Sequence, residues 1–370
     1  MRERFHRIAE HLRSLLLSGE AFTCHYSGEE SDFVRLSRGR VRQAGSVAQA
    51  QLTIDLIEGK RHAAGAVTLA GDFAADTARI GELLGELRAQ RAELPEDPYL
   101  VFPDEARSTE HETGGALPDA DEAIEVIAGV SGDRDLVGLF ASGSIHAGFA
   151  DSRGQRNWHS ARTFHFDWSF YIEADRAAKG AFAGTEWTRE DLEKQAALAA
   201  EAADALRRPP VTVPPGGYRV YLAPEALHEL FGVLSWGGFG LRARRTKTTP
   251  LLRMIEEGAK LHPSVAVFEH TAGGIAPRFG DSGFLRPDRV TLIERGELRE
   301  CLVSPRSAAE YGAACNGAGR AEAPESLEMA PGDLPAAEVL SRLGDGVYVS
   351  NLHYLNYSDR PAGRLTGLTR

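Results

Sequence analysis

The stretch QAQLTIDLIEGKRHAAGAVTLAG, residues 49–71, decides how the chain begins to fold. Ala50, Leu52, Ile54 and Leu56 alternate with Gln49, Gln51, Thr53 and Asp55. A period of two sends successive side chains to opposite faces, so the segment reads as a half-buried strand. Glu58-Gly59-Lys60 supplies the turn into a second strand. Just upstream, FVRLSRGRVRQA (33–44) places a turn at Gly39 between two further extended runs. Helices flank this sheet. In the first, Phe5, Ile8, Ala9, Leu12, Leu15 and Leu16 fall on one helical face, with Gly19 as a C-terminal cap. In the second, Phe73, Ile80, Leu83, Leu84 and Leu87 share a face. Each helix has one apolar stripe and the sheet has one apolar face, so both helices are expected on that face.

Residues 93–120 are rich in Pro, Asp, Glu, Gly and Thr and read as a linker or long surface loop. From about residue 133 a β-rich region follows. Its clearest strand is RTFHFDWSFYIEA (162–174), where Phe164, Phe166, Trp168, Phe170 and Ile172 alternate with polar neighbours, after a turn at DSRG (151–154). An alanine-rich helix follows, with Thr188 and Asp191 as a variant capping box. RRPPVTVPPGG (207–217) stops it, because consecutive prolines remove donors and fix φ. GYRVYLAPEALHELFGVL (217–234) reads as strand, turn and helix, with Pro224 near the helix start. SVAVFEH (264–270) reads as a strand and RVTLIERGELRECLVS (289–304) as a hairpin turned at Arg295-Gly296. The last residues, from Asp345, have the look of strands and turns. They stop at Arg370 without a capping element, which is read as a truncation. No short-period repeat is evident. The expected class is α+β: an N-terminal antiparallel sheet flanked by helices over residues 1–115, then a larger β-rich domain over 116–370.

Composition narrows the function classes. The chain has 370 residues and a net charge of −11, with dispersed basic residues. That argues against a large nucleic-acid-binding face. Only RARRTK (242–247) is locally basic, and it reads as a solvated loop rather than a phosphate site. No apolar run reaches membrane-spanning length, and the charged amphipathic N-terminus is unlike a secretory signal, so the expected location is the cytoplasm. Cys24, Cys301 and Cys315 are too few and too scattered for a disulfide framework or a zinc knuckle. They read as buried thiols.

The chemistry centres on EALHELFGVLSWGGFG (225–240). His228-Glu229 opens like a zinc-protease helix, in which H-E-x-x-H sets two imidazoles one turn apart on one metal. Here Gly232 stands four residues after His228 and Val233 five after, and neither has a lone pair to offer. From the residues alone, the helix buries Leu227, Phe231 and Leu234, with His228 and Glu229 on its wetter side. His146, His159 and His165 lie in the β-rich region and could converge, though strand histidines usually serve the surface or a satisfied core. Asp167 shares a strand face with His165, and the two can pair without catalysis. CNGAGR (315–320) reads as a turn rather than a phosphate loop. GDSGF (280–284) is similar to the surroundings of a chymotrypsin-like serine, but Ser282 would need a base within reach.

The order of these pieces resembles the TldD/TldE (PmbA) family, described as metallopeptidases and historically as modulators of DNA gyrase. The resemblance covers nearly the whole chain. It rests on the N-terminal helix with VRLSRGRVRQAGS (34–46) and the proline-glycine lead into the helix of 224–234. FGDSGFLRPDRVTLIERGELRECLVSPRSAAEYG (279–312) and RPAGRLTGLTR (360–370) add to it. In TldD subunits an H-E-x-x-x-H helix and a cysteine near the C-terminus complete a zinc site. On that pattern His228 is a metal ligand and Glu229 the catalytic base. The second histidine falls on Val233, and no cysteine follows Cys315.

The resemblance therefore implies the TldE/PmbA type, a subunit without zinc of its own. Such a subunit would dimerise with a TldD-like partner, or with a second copy, around a chamber for extended peptides. His228 and Glu229 would then be vestigial. Two alternatives stay open. One is an active zinc metallopeptidase whose missing ligands come from His262, His270 or a partner chain. The other is a non-catalytic module that captures extended peptide along a strand edge.

Overall fold

A computed structural model of the chain describes residues 1–369. Arg370, the last residue of the expected strand-and-turn ending, lies outside the described residues. The chain divides into two compact units. The first takes in Met1–Glu96 and Ala106–Val213, and the second takes in Asp97–Glu105 and everything from Pro214.

The first unit runs α1 (Arg2–Ser14), β1 (Glu20–Ser37), β2 (Arg40–Glu58), β3 (Arg61–Thr68), α2 (Phe73–Glu93), β4 (Thr109–Thr113), α3 (Ala120–Ser131), β5 (Asp135–Asp151), β6 (Arg156–Glu173), β7 (Arg176–Gly184) and α4 (Arg189–Leu206). All seven strands form one sheet in the order β3-β2-β1-β5-β6-β4, with β7 also on β6. β4 runs parallel to β6 along Asn157–Ala161, and β7 runs antiparallel to it along Phe164–Glu173. The expected division at 115/116 cuts through this sheet. β1 and β5, from opposite sides of that point, pair from Thr23↔Asp151 to Leu36↔Gly138. Backbone pairing across the seam ties the two halves into one unit, and the sequence carries no mark of it.

The same order of elements occurs twice. Helix, three strands and helix (α1-β1-β2-β3-α2) are followed by helix, three strands and helix (α3-β5-β6-β7-α4). Equivalent side chains do equivalent work. Tyr26 faces Leu52 where Phe140 faces Phe166, and Phe22 faces Leu56 where Leu136 faces Phe170. Each copy has its own core. Phe5, Ile8 and Leu12 of α1 and Ile80, Leu84 and Leu87 of α2 close over Leu52, Ile54 and Leu56. Ala123 and Ile127 of α3 and Leu192, Ala196 and Ala199 of α4 close over Phe166, Trp168 and Phe170. The second copy sets bulkier strand residues against smaller helix residues, so the two cores are filled by different divisions between sheet and helices.

Both cores use the even-numbered residues of β1, β2, β5 and β6, so all four helices lie on one face of the sheet. Gln49 and Gln51 on the opposite face of β2 are exposed, as the alternation predicts. The expected linker contains β4 and leads into α3. Asn157 holds the start of β4 through hydrogen bonds to Arg107 O and Thr109 Oγ1, both 2.8 Å. TEHET has no apolar alternation, which is why it read as loop. α1 ends earlier than expected, with Leu15 at its C-cap, while Gly19 makes the turn into β1 at φ +87°. Thr188 caps α4 as read, its hydroxyl accepting from Asp191 N at 3.1 Å.

The second unit holds β8 (Val220–Leu222), α5 (Pro224–Leu234), α6 (Leu241–Arg245), α7 (Leu252–Glu256), β9 (Val267–Glu269), β10 (Val290–Glu294), β11 (Glu297–Leu298), α8 (Pro305–Tyr311), β12 (Leu327–Met329), α9 (Val339–Leu343), β13 (Val347–Val349), β14 (Leu352–Asp359) and β15 (Arg364–Thr369). Its strands are short. β11-β10-β9-β12 form a four-stranded sheet, β13 and β8 a parallel pair, and β14 and β15 a hairpin. The class is α+β, but the extended sheet belongs to the first unit. Among the described residues no helix is long and apolar enough to cross a membrane.

Buried ion pairs fasten α2 to its surroundings. Arg4 of α1 pairs with the buried Asp76 of α2. At the start of β1 the Glu20 carboxylate, 1% exposed, receives Arg88 at 2.8 Å and Arg91 at 3.0 Å. The Arg88 hydrogen bonds outweigh burial and hold its pKa down at about 2, against an ordinary 4.5. A depressed carboxylate stabilises the fold above its unfolded pKa and loses that contribution as pH falls towards the folded one. Glu20→Gln is expected to destabilise the first unit by about 2–3 kcal/mol at pH 7. The gap from wild type should close between roughly pH 4.5 and pH 2. Urea unfolding followed by tryptophan fluorescence at several pH values measures it; a gap independent of pH would contradict the assignment.

Candidate functional site

β8 and α5 carry the residues that the sequence singled out. Ala223 N donates to Val349 O at 3.0 Å and fixes the turn between them. Pro224 then opens the helix, where its missing N–H goes unused. α5 is held on two sides. Phe231 and Leu234 pack on the cluster of Phe239, Val267 and Leu292, and Leu230 joins Ala226, Val349 and Leu352. Ala226 and Val233 are the buried residues of the helix, whereas Leu227 is only partly covered. The C-terminal end is tied down by β14 and the turn after it. Tyr357 Oη donates to Val233 O at 3.1 Å, and the Arg360 guanidinium donates to Trp236 O.

His228 is exposed and Glu229 partly buried. Val233 is 5% exposed, so the place of a second histidine is filled by core packing. Among the described residues no group of three His, Cys, Asp or Glu side chains is arranged to hold a metal ion. The side chains around α5 therefore do not fit a zinc ion, which needs three protein ligands and a water at a catalytic centre. The two more distant candidates have other partners. His262 Nδ1 lies 2.8 Å from Ser264 Oγ, and His270 Nδ1 lies 2.6 Å from Glu328 Oε2.

The remaining sequence candidates are dispersed. His146 is on the helix-bearing face of the large sheet, beside Trp158 and 3.6 Å from Glu30, and burial lowers its pKa. His159 and His165 are on the opposite face, as the registers Ala147↔His159 and Ala141↔His165 require, so the three do not converge. His165 pairs with Asp167 at 3.5 Å, as expected for strand neighbours. Ser282 Oγ donates to Asp281 Oδ1 at 3.1 Å within a tight turn closed by Gly283 N to Gly280 O. RARRTK supplies the last four residues of α6 and the turn after it rather than a loop, and Lys247 pairs with Glu256.

Of the three thiols, Cys24 is buried, Cys301 partly buried and Cys315 exposed. Burial raises the pKa of all three. CNGAGR is irregular chain that enters a turn only at Arg320. Asn316 spans Cys301 O and Val303 N at 2.8 Å each, and Gly317 adopts φ +72° where an added Cβ would run into Leu285 O.

One organising residue escaped the sequence reading. Glu322 is 2% exposed and has a left-handed backbone, φ +52°. Its Oε1 accepts from Ser304 N and Ser304 Oγ, at the N-cap of α8. Its Oε2 accepts from Arg242 N at 2.8 Å, at the first turn of α6. One carboxylate thus caps two helices, where negative charge meets the positive ends of their dipoles. Gly240 leaves the room, because a Cβ there would meet Glu322 Cβ at 2.8 Å. A glutamate in AEAPES has no motif to announce it. Nearby, Glu269, Thr271, Arg286 and Asn316 line a cavity of about 10 Å³, the space of one water.

Two substitutions separate these roles. His228→Ala removes an exposed side chain and is expected to leave unfolding within about 0.5 kcal/mol of wild type. Glu322→Ala strips the acceptor from buried amides and should cost about 2–4 kcal/mol in the second unit. Amide exchange read residue by residue should accelerate at Arg242 and Ser304 in that variant. Unchanged protection there would refute the double cap.

Comparison with known proteins adds a family match over the second unit and a fold match over the whole chain. Residues 215–369 match the model of the PmbA/TldA metallopeptidase C-terminal domain. No curated protein matches the chain. Among solved structures, the fold is similar to a protein described as a modulator of a DNA gyrase from Thermotoga maritima. That match has a TM-score of 0.73 at 16% identity and covers 95% of this chain and 82% of that one. TldE from Thermococcus kodakarensis gives 0.73 at 12% identity, over 98% and 89% of the two chains. A protein described as a modulator of DNA gyrase from Bacteroides thetaiotaomicron gives 0.71 at 15%, over 99% and 89%. Residues 215–369 thus carry the PmbA/TldA metallopeptidase C-terminal domain, and the chain as a whole shares the fold of these solved structures.

Proposed function

We propose that this chain is a TldE-like subunit, a non-catalytic half of a cytoplasmic peptide-processing assembly completed by a TldD-like partner. One observation carries the reading: Val233, buried in the helix core, stands where the family's zinc helix needs its second histidine. A valine methyl has no lone pair, and the exposed His228 with Glu229 falls short of the three protein ligands of a catalytic zinc. In this reading His228 and Glu229 are vestigial. Peptide hydrolysis belongs to the partner's zinc, and this chain contributes wall and shape to the chamber. Its acidic balance, −11 overall, suits no nucleic-acid contact.

The test is co-expression with a TldD-like protein that carries H-E-x-x-x-H. The expected result is recovery of the two chains at one-to-one ratio, zinc at one per pair, and cleavage of an unfolded peptide only by the mixture. This chain alone should purify without zinc and without peptidase activity. Stoichiometric zinc on this chain alone, lost in His228→Ala, would overturn the proposal, as would cleavage by the chain without its partner.

A further inference from the structure

We draw no further inference here: the strongest candidate, the stripe of half-exposed apolar side chains Val137, Leu139 and Ile145 along β5 on the helix-free face of the large sheet, carries nothing because nothing in the structure shows what covers it.

Discussion

The structure of the first unit depends on the one-sided apolar face of its large sheet. Alternation along β1, β2, β5 and β6 sends Phe22, Leu52, Phe140 and Phe166 the same way, so four helices must gather on one side. The pairing of β1 with β5 makes that face continuous across two copies of the same helix–sheet–helix pattern. Neither core could shift its strand register by one residue without turning its whole apolar set to solvent. That constraint explains why the copies keep their pairing while their residues diverge, with Leu52, Ile54 and Leu56 in one and Phe166, Trp168 and Phe170 in the other.

The second unit is organised differently. Its strands are two to eight residues long and its two apolar clusters are small. Buried polar groups take a larger share of the work. Glu322 joins the N-termini of α6 and α8, Asn316 bridges the backbone of Cys301 and Val303, and Glu269 accepts from the amides of Glu325 and Ser326. A buried acceptor with its donors in place defines one arrangement of the chain, and its loss leaves several amides unpaired at once. α5 sits within this framework, packed on both sides, so its exposed stripe presents His228 while its core stripe holds Val233.

The consequence for function is a separation of fold from chemistry. The framework around α5 is intact, with a proline start, packed faces and a tethered C-terminal end. What departs from the metallopeptidase pattern is the donor set, and donors decide whether a cation is held. A helix can be fully packed without a ligand set, because packing and coordination draw on different side chains.

Much was legible along the chain. The period of two in residues 49–57, the apolar stripes of α1 and α2, the Thr188 cap and the Pro224 start are local properties, and local stereochemistry fixes them. The absence of a donor at position 233 is likewise a fact of the residue alone. The joining of β1 to β5, the repetition of the five-element pattern and the place of β4 arise from hydrogen bonds between distant segments. So do the opposite faces of His146 and His159 and the double cap by Glu322. Backbone groups pair without regard to side-chain identity, so such long-range partnerships leave little trace in sequence. Residue type and spacing determined which segments are helix or strand and which side chains lack a lone pair; only the tertiary structure decided which segments meet, because that choice is made by backbone pairing and burial summed over the whole unit.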